Sequence, residues 1–270
     1  MSNISIVTAF FDIGRGNWTP DRGLPHYLHR STDVYIERFS YLLELDTDIV
    51  VYTSSDLVDR LTQLAIDKPA KLTVISVDLT DFENIRQAIC AVQFSDYFLD
   101  RIDPAQKLNP EYWNADYVLV TNLKAYFVDQ AIQQDLPERD MVAWIDFGYC
   151  RDSSKIPSSA SWNFTFDPTK IHLFSYKSYD DKNVLDIIAN NDVYILGAKV
   201  VAHKSLWSPL SKMMKSSQDL LFANGFVDDD QGLWLISSLM QPELFELHTI
   251  PDHQLGHDPF VLFNKFNDTL

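Results

Sequence analysis

Basic residues are scarce in this chain. Lys and Arg number 22 against 38 Asp and Glu, a formal net charge of -16 over 270 residues. That balance argues against broad electrostatic binding of nucleic acid, which needs a basic face. It leaves open a nucleotide held through a divalent metal, because the metal reverses the local charge balance. Cysteine is scarcer still. Cys90 and Cys150 are the only two, so neither a disulfide framework nor a cysteine zinc site is expected, and the pair suits a reduced compartment. No apolar run approaches the ~20 residues of a membrane helix. The first eleven residues lack a basic segment and run into Asp12 too soon for a secretory signal. These absences predict a cytoplasmic protein. No internal repeat is visible, and there is no P-loop, dinucleotide fingerprint, nucleophile elbow or His-Glu-x-x-His helix.

What is present alternates. Residues 4–11 read as a strand, followed by a loop through Asp12, Gly14, Arg15, Gly16 and Pro20. A helix capped by Ser31 or Thr32 buries Tyr35, Ile36, Phe39, Leu42 and Leu43 at helical spacing. A strand over 48–52, a helix stopped by Pro69 and a strand over 72–77 complete the first 80 residues. This order predicts a parallel sheet with covering helices, wound right-handed. Residues 81–113 read as broken helices, and 116–134 as one apolar helix holding Lys124. Then Val142, Ala143, Trp144 and Ile145 form a strand buried on both faces, ending at Asp146. A carboxylate there sits where open α/β sheets bind ligands, outside the carboxyl ends of the strands. The competing role is a turn cap, since Asp before Gly is ordinary turn chemistry.

The second half carries strands over 171–175, 193–196 and 197–202. A helix follows with Pro209 in its first turn, then a helix opened by Asp228, Asp229, Asp230 and Gln231. Asp228 with Gln231 fits a capping box. Capping uses one or two of these acids; three adjacent carboxylates call for a cation, a proton or a substrate hydroxyl nearby. Lys124, inside an apolar helix, either finds a partner Asp or reaches an anion in the cleft, since a buried unpaired charge is costly. His248, His253 and His257 do not have zinc-protease spacing. One late His joining Asp146 on manganese or magnesium is the more reasonable use of them. Such parts serve group transfer from a nucleotide donor: a cation meets the leaving diphosphate, and a separate carboxylate serves the acceptor side.

Ile6-Val-Thr-Ala-Phe-Phe-Asp-Ile-Gly-Arg15, Trp144-Ile-Asp-Phe-Gly-Tyr149 and Asp229-Asp-Gln231 resemble the bacterial HtrL/YibB family over nearly the whole chain. That family is similar to nucleotide-sugar transferases of the GT-A fold and is associated with surface-polysaccharide or lipopolysaccharide assembly. The resemblance implies a single GT-A-like α/β domain over 1–270, with a mixed, mostly parallel sheet and helices on both faces. Residues 1–150 would bind a nucleotide such as UDP, and 151–270 would meet a glycan or lipid-linked glycan acceptor. Work at the inner face of the inner membrane would follow. By position, the resemblance puts Thr8, Ala9, Phe10, Asp12 and Arg15 in the nucleotide pocket, with Lys124 facing the donor. It makes Asp146 the first carboxylate of an Asp-x-Asp motif for Mn2+ or Mg2+, Asp229 or Asp230 the acceptor-side carboxylate, and His253 or His257 the late metal ligand. Gly148 stands where the second Asp belongs, so Arg151 or Lys124 is the alternative partner for the diphosphate. A sugar- or nucleotide-binding module without catalysis, and a metal-dependent phosphate-ester hydrolase, are the competing readings.

Overall fold

The computed structural model describes residues 2–250. One sheet takes strands from both halves of the chain: β1 (Ile4–Phe10), β2 (Asp48–Thr53), β3 (Lys71–Ser76), β4 (Met141–Ile145), β5 (Ile171–Ser175), β6 (Ile195–His203) and β7 (Phe245–Thr249). Their order is β3-β2-β1-β4-β6-β5-β7. Every pairing is parallel except those of β6, which runs antiparallel to both β4 and β5.

Nine α-helices cover this sheet among the described residues: α1 (Thr32–Leu42), α2 (Val58–Leu64), α3 (Glu83–Gln93), α4 (Asp96–Leu99), α5 (Ala115–Asn122), α6 (Lys124–Gln133), α7 (Val184–Ala189), α8 (Lys204–Ala223) and α9 (Asp230–Met240). The central strands are apolar at consecutive positions because both faces are covered. Ile4, Ile6 and Phe10 of β1 and Ala143 and Ile145 of β4 pack under α1 and α2. The alternate residues Val7, Ala9, Val142 and Trp144 pack under α3, α5, α6, α8 and α9. The expected mixed, mostly parallel sheet with helices on both faces is what the chain forms. None of the described helices is long and apolar enough to cross a membrane.

Four local expectations are corrected. The helix expected over 116–134 is two helices, α5 and α6, which break at Leu123. The strands expected over 193–196 and 197–202 are one nine-residue strand, β6. α8 begins at Lys204, where the His203 ring accepts from the Ser205 amide, so Pro209 lies beyond the first turn and inside the helix. Asp229, not Asp228, caps α9, its carboxylate accepting from the Gln231 amide at 3.0 Å. β7 is an addition in a stretch read only as tail.

Candidate active site

The chain leaves β1 toward β2 on one side, while β4 fills the other side of β1. The loops that follow β1 and β4 therefore diverge at a topological switch point, the usual ligand crevice of an open α/β sheet. A cleft of about 240 Å³ opens there, walled by these two loops, α5, α6, the first half of β6 and the start of α9.

Lys124 is the hub of its floor. Its ammonium lies 2.9 Å from Asp146 Oδ1, 2.9 Å from Asp230 Oδ2 and 2.9 Å from the Gly197 carbonyl. An ammonium has three protons to donate, and these partners use all of them. Two indoles complete the network: Trp144 Nε1 donates to Asp146 at 2.8 Å and Trp234 Nε1 donates to Asp230 at 2.8 Å. The spacings explain both bonds. Trp144 and Asp146 lie two apart along an extended chain, and Asp230 and Trp234 lie four apart on a helix. The two carboxylates raise the Lys124 pKa against the opposing pull of burial. Gly197 is required here, since a Cβ on it would stand 2.3 Å from Asp230 Oδ2.

The α9 side of the cleft presents Asp229 and Asp230, with Asp228 and Glu111 buried near them. Asp229 is pushed up to about 7, by burial first and then by Glu111. Burial also raises Asp228 well above the ordinary carboxylate range, with Asp229 and Glu111 adding to it. Glu111 itself, set in the short turn before α5, is pushed up to about 7 by burial. Burial pushes Asp230 up to about 7 as well, but it accepts from an ammonium and an indole, both of which favour its charged form. Lys124 also lowers Asp229, but its ammonium donates to Gly197, Asp146 and Asp230 and not to Asp229. The Tyr117 hydroxyl stands 3.5 Å from its Oδ2, and burial keeps that phenol neutral. Asp229 is therefore the cleft carboxyl best suited to exchange a proton near neutral pH.

The opposite wall is cationic. Asp12 folds the β1 loop by accepting from the Gly14 amide at 2.9 Å and the Thr32 hydroxyl at 2.6 Å. This turns Arg15 inward, where it donates to the Tyr35 hydroxyl at 2.7 Å and to the Leu28 carbonyl. Arg30 and Arg151 line the same cleft. Arg38 follows from α1, and one of its buried guanidinium nitrogens, Nη1, has no hydrogen-bond partner. The group is close enough for mutual repulsion. Burial lowers Arg151 to about 10, with Arg30 and Arg38 adding to the effect. Burial and Arg30 likewise lower Arg38. Three of the chain's nine arginines thus line one wall of the cleft, with Arg38 close to Arg30 and Arg151, in an acidic protein.

A hard-cation site of the Asp-x-Asp kind does not fit the described residues. Asp146 supplies one carboxylate, and its Oδ1 already accepts from Lys124 and Trp144. At Gly148 a Cβ would stand 2.6 Å and 2.9 Å from the Tyr35 ring, so a second carboxylate has no room.

Ala9, Phe10, Asp12, Arg15, Lys124, Asp146, Gly148, Asp229 and Asp230 all line the cleft. Thr8 does not line it; it is fully buried in β1. His253 and His257 lie outside the described residues. Sequence reasoning missed Arg30, Arg38, Glu111, Tyr117, Trp144 as a donor, and Trp234. Only the two tryptophans carried a usable signal, their spacing from Asp146 and Asp230.

The sheet order and the switch-point cleft define an α/β protein with a mixed, mostly parallel sheet and a ligand-sized crevice at its switch point. A family model described as "Bacterial protein of unknown function (HtrL_YibB)" matches residues 2–266, and the chain belongs to that family. Protein HtrL of Escherichia coli (strain K12) is 40% identical over 252 residues, covering 92% of this chain and 88% of its own length. Among solved structures, mouse xyloside xylosyltransferase 1 in its apo form is similar at a TM-score of 0.42 and 10% identity, over 90% of this chain and 84% of that one.

Proposed function

We propose that the protein is a glycosyltransferase that moves a sugar from a nucleotide-sugar donor, such as a UDP-sugar, to a hydroxyl of a glycan acceptor in bacterial surface-polysaccharide assembly. The observation that carries this reading is the polarity of the cleft. One wall gathers guanidinium groups, and the other presents a carboxyl that titrates near neutral pH. Group transfer from a diphosphate needs both.

In this reading the nucleotide lies along the β1 loop, over Ala9, Phe10 and Asp12. Arg15, Arg30 and Arg151 meet the diphosphate, since guanidiniums bind phosphate oxygens in a planar, charge-assisted way. The acceptor hydroxyl oxygen forms a bond to the sugar carbon, and the bond from that carbon to the diphosphate oxygen breaks. The nucleoside diphosphate leaves with the electron pair, and the hydroxyl proton passes to Asp229. Lys124, Asp146 and Asp230 hold the floor rigid between the two walls. The arginines stand in for the manganese or magnesium that the resemblance implies.

The test uses a panel of nucleotide sugars, with thermal shift for binding and release of free nucleoside diphosphate for turnover. Asp229→Asn is expected to cut transfer by about 100-fold or more while leaving donor affinity near wild type. Full transfer by Asp229→Asn would reject its role. A divalent ion added after chelation is expected to change donor affinity little; strict dependence on manganese would overturn the arginine assignment. A second reading, a binding module without catalysis, is favoured by one observation: Asp146 and Asp230 are both tied to Lys124. Tight donor binding with no nucleotide release on any acceptor would select it.

A further inference from the structure

A second cluster of ligand-type side chains lies on the sheet itself, away from the cleft. Among the described residues β7 is an edge strand, hydrogen-bonded only to β5. In their parallel register His172 of β5 stands opposite Glu246 of β7, and Phe174 stands opposite His248. Residues 246 and 248 are two apart on an extended strand, so their side chains share one face, and His172 projects from the same face. None of the three lines the cleft.

The protonation of His172 is fixed by its surroundings. Its Nε2 lies 2.9 Å from the Asp167 carbonyl, which only accepts, so Nε2 carries the hydrogen. Nδ1 therefore turns a lone pair toward β7. That atom lies 2.9 Å from His248 Nε2 and 3.4 Å from Glu246 Oε2. His248 Nε2 lies 4.0 Å from Glu246 Oε1. These separations bracket the ~3.3 Å between two ligands of a tetrahedral zinc with bonds of about 2.0–2.1 Å. A carboxylate oxygen and an imidazole lone pair facing each other at 3.4 Å repel unless a proton or a cation lies between them.

A hydrogen bond donated by His248 would satisfy His172 but would leave Glu246 facing that lone pair. The Asp167 carbonyl behind His172 is the kind of outer partner that orients metal-binding histidines. Phe166 and Phe174 close around the pair, with ring centroids 4.7 Å from His172 and 5.3 Å from His248 respectively. Lys199, packed over Phe174 at 4.4 Å, is a nearby opposing charge.

We propose that His172, Glu246 and His248 form a zinc-binding site that fastens the edge strand β7 to β5. Two neutral imidazoles and a carboxylate are a zinc donor set rather than one for calcium or magnesium. The site stands apart from the transferase reading, and its test does not depend on it.

The experiment uses tag-free full-length protein, stripped with a chelator and titrated with Zn2+ by calorimetry, with Co2+ absorption as a second readout. One equivalent is expected to bind, with a visible Co2+ band of tetrahedral intensity and a higher melting temperature on adding zinc. Glu246 is exposed, so Glu246→Gln should fold as wild type while losing about 10-fold or more in affinity. His172→Ala and His248→Ala should lose roughly 100-fold. The double variant His253→Ala with His257→Ala should keep the site intact. Circular dichroism of each zinc-free variant separates lost binding from lost folding. No stoichiometric zinc binding by the wild type, or binding that survives loss of both His172 and His248, overturns the proposal.

Discussion

Lys124 shows how one side chain decides what its neighbours can do. Its three bonds leave it no proton for a phosphate, so its role is to hold Asp146 and Asp230 in register. Lys124→Met is expected to cost about 3–5 kcal/mol, because it leaves two carboxylates without their cation, one of them fully buried. The loss should be pH-dependent. Without the ammonium, Asp230 in the folded protein takes a proton more readily than in the unfolded chain, so stability falls as pH rises past the ordinary carboxyl range. Urea unfolding at pH 5 and pH 8 checks this: the variant should recover part of its deficit at the lower pH, and Asp230→Asn in the same chain should remove that dependence. Gly148 is the other decisive residue. Gly148→Ala should destabilise by about 1–3 kcal/mol through the clash with Tyr35. A second change, Tyr35→Leu, should restore part of the loss in the same assay.

At the level of elements, the start of α9 does two jobs. Asp229 caps the helix and faces the cleft. Asn caps as well as Asp, whereas Ala does not. Asp229→Ala should therefore lose about 0.5–2 kcal/mol of stability, and Asp229→Asn should lose none at pH 8; chemical denaturation of the pair separates the cap from the chemistry. The turn before α5 adds a pH effect. Glu111 is raised to about 7 in the folded protein, so the folded state keeps its proton where the unfolded chain has lost it. Stability must then fall as pH rises from the ordinary glutamate range to about 7, and level off above. Glu111→Gln should remove up to about 3 kcal/mol of that fall. Melting temperatures across pH 4 to pH 9 measure it, and an unchanged slope would reject the assignment.

The whole molecule is acidic, yet three arginines line its cleft and a fourth, Arg38, lies close enough to act on Arg151. Local cationic walls in an acidic protein make anion binding depend on ionic strength. A nucleoside diphosphate is expected to raise the melting temperature without added divalent ion, by up to about 2.7 kcal/mol of stabilisation at 100-fold over its Kd. The effect should shrink in high salt and in Arg15→Ala or Arg30→Ala. Calorimetry at two salt concentrations checks both.

The sequence by itself determined the α/β class, because unbroken apolar runs at β1, β2 and β4 alternate with helices of helical spacing, and that pattern is local. It also pointed to Asp146 and the 228–230 acids, whose positions at the end of a buried strand and the start of a helix are local features as well. The broken helix at Leu123 and the late strand β7 escaped it, since each depends on partners far along the chain. Tertiary structure alone decided which carboxylates carry charge. Lys124 lies 106 residues from Asp230 in sequence and 2.9 Å from it in space; both Asp229 and Asp230 are pushed up to about 7, but this contact ties Asp230 to the ammonium and leaves Asp229 the freer carboxyl. It also explained Gly148. Only the folded chain brings Tyr35 over that backbone, and the space that a second carboxylate would need is filled by an aromatic ring.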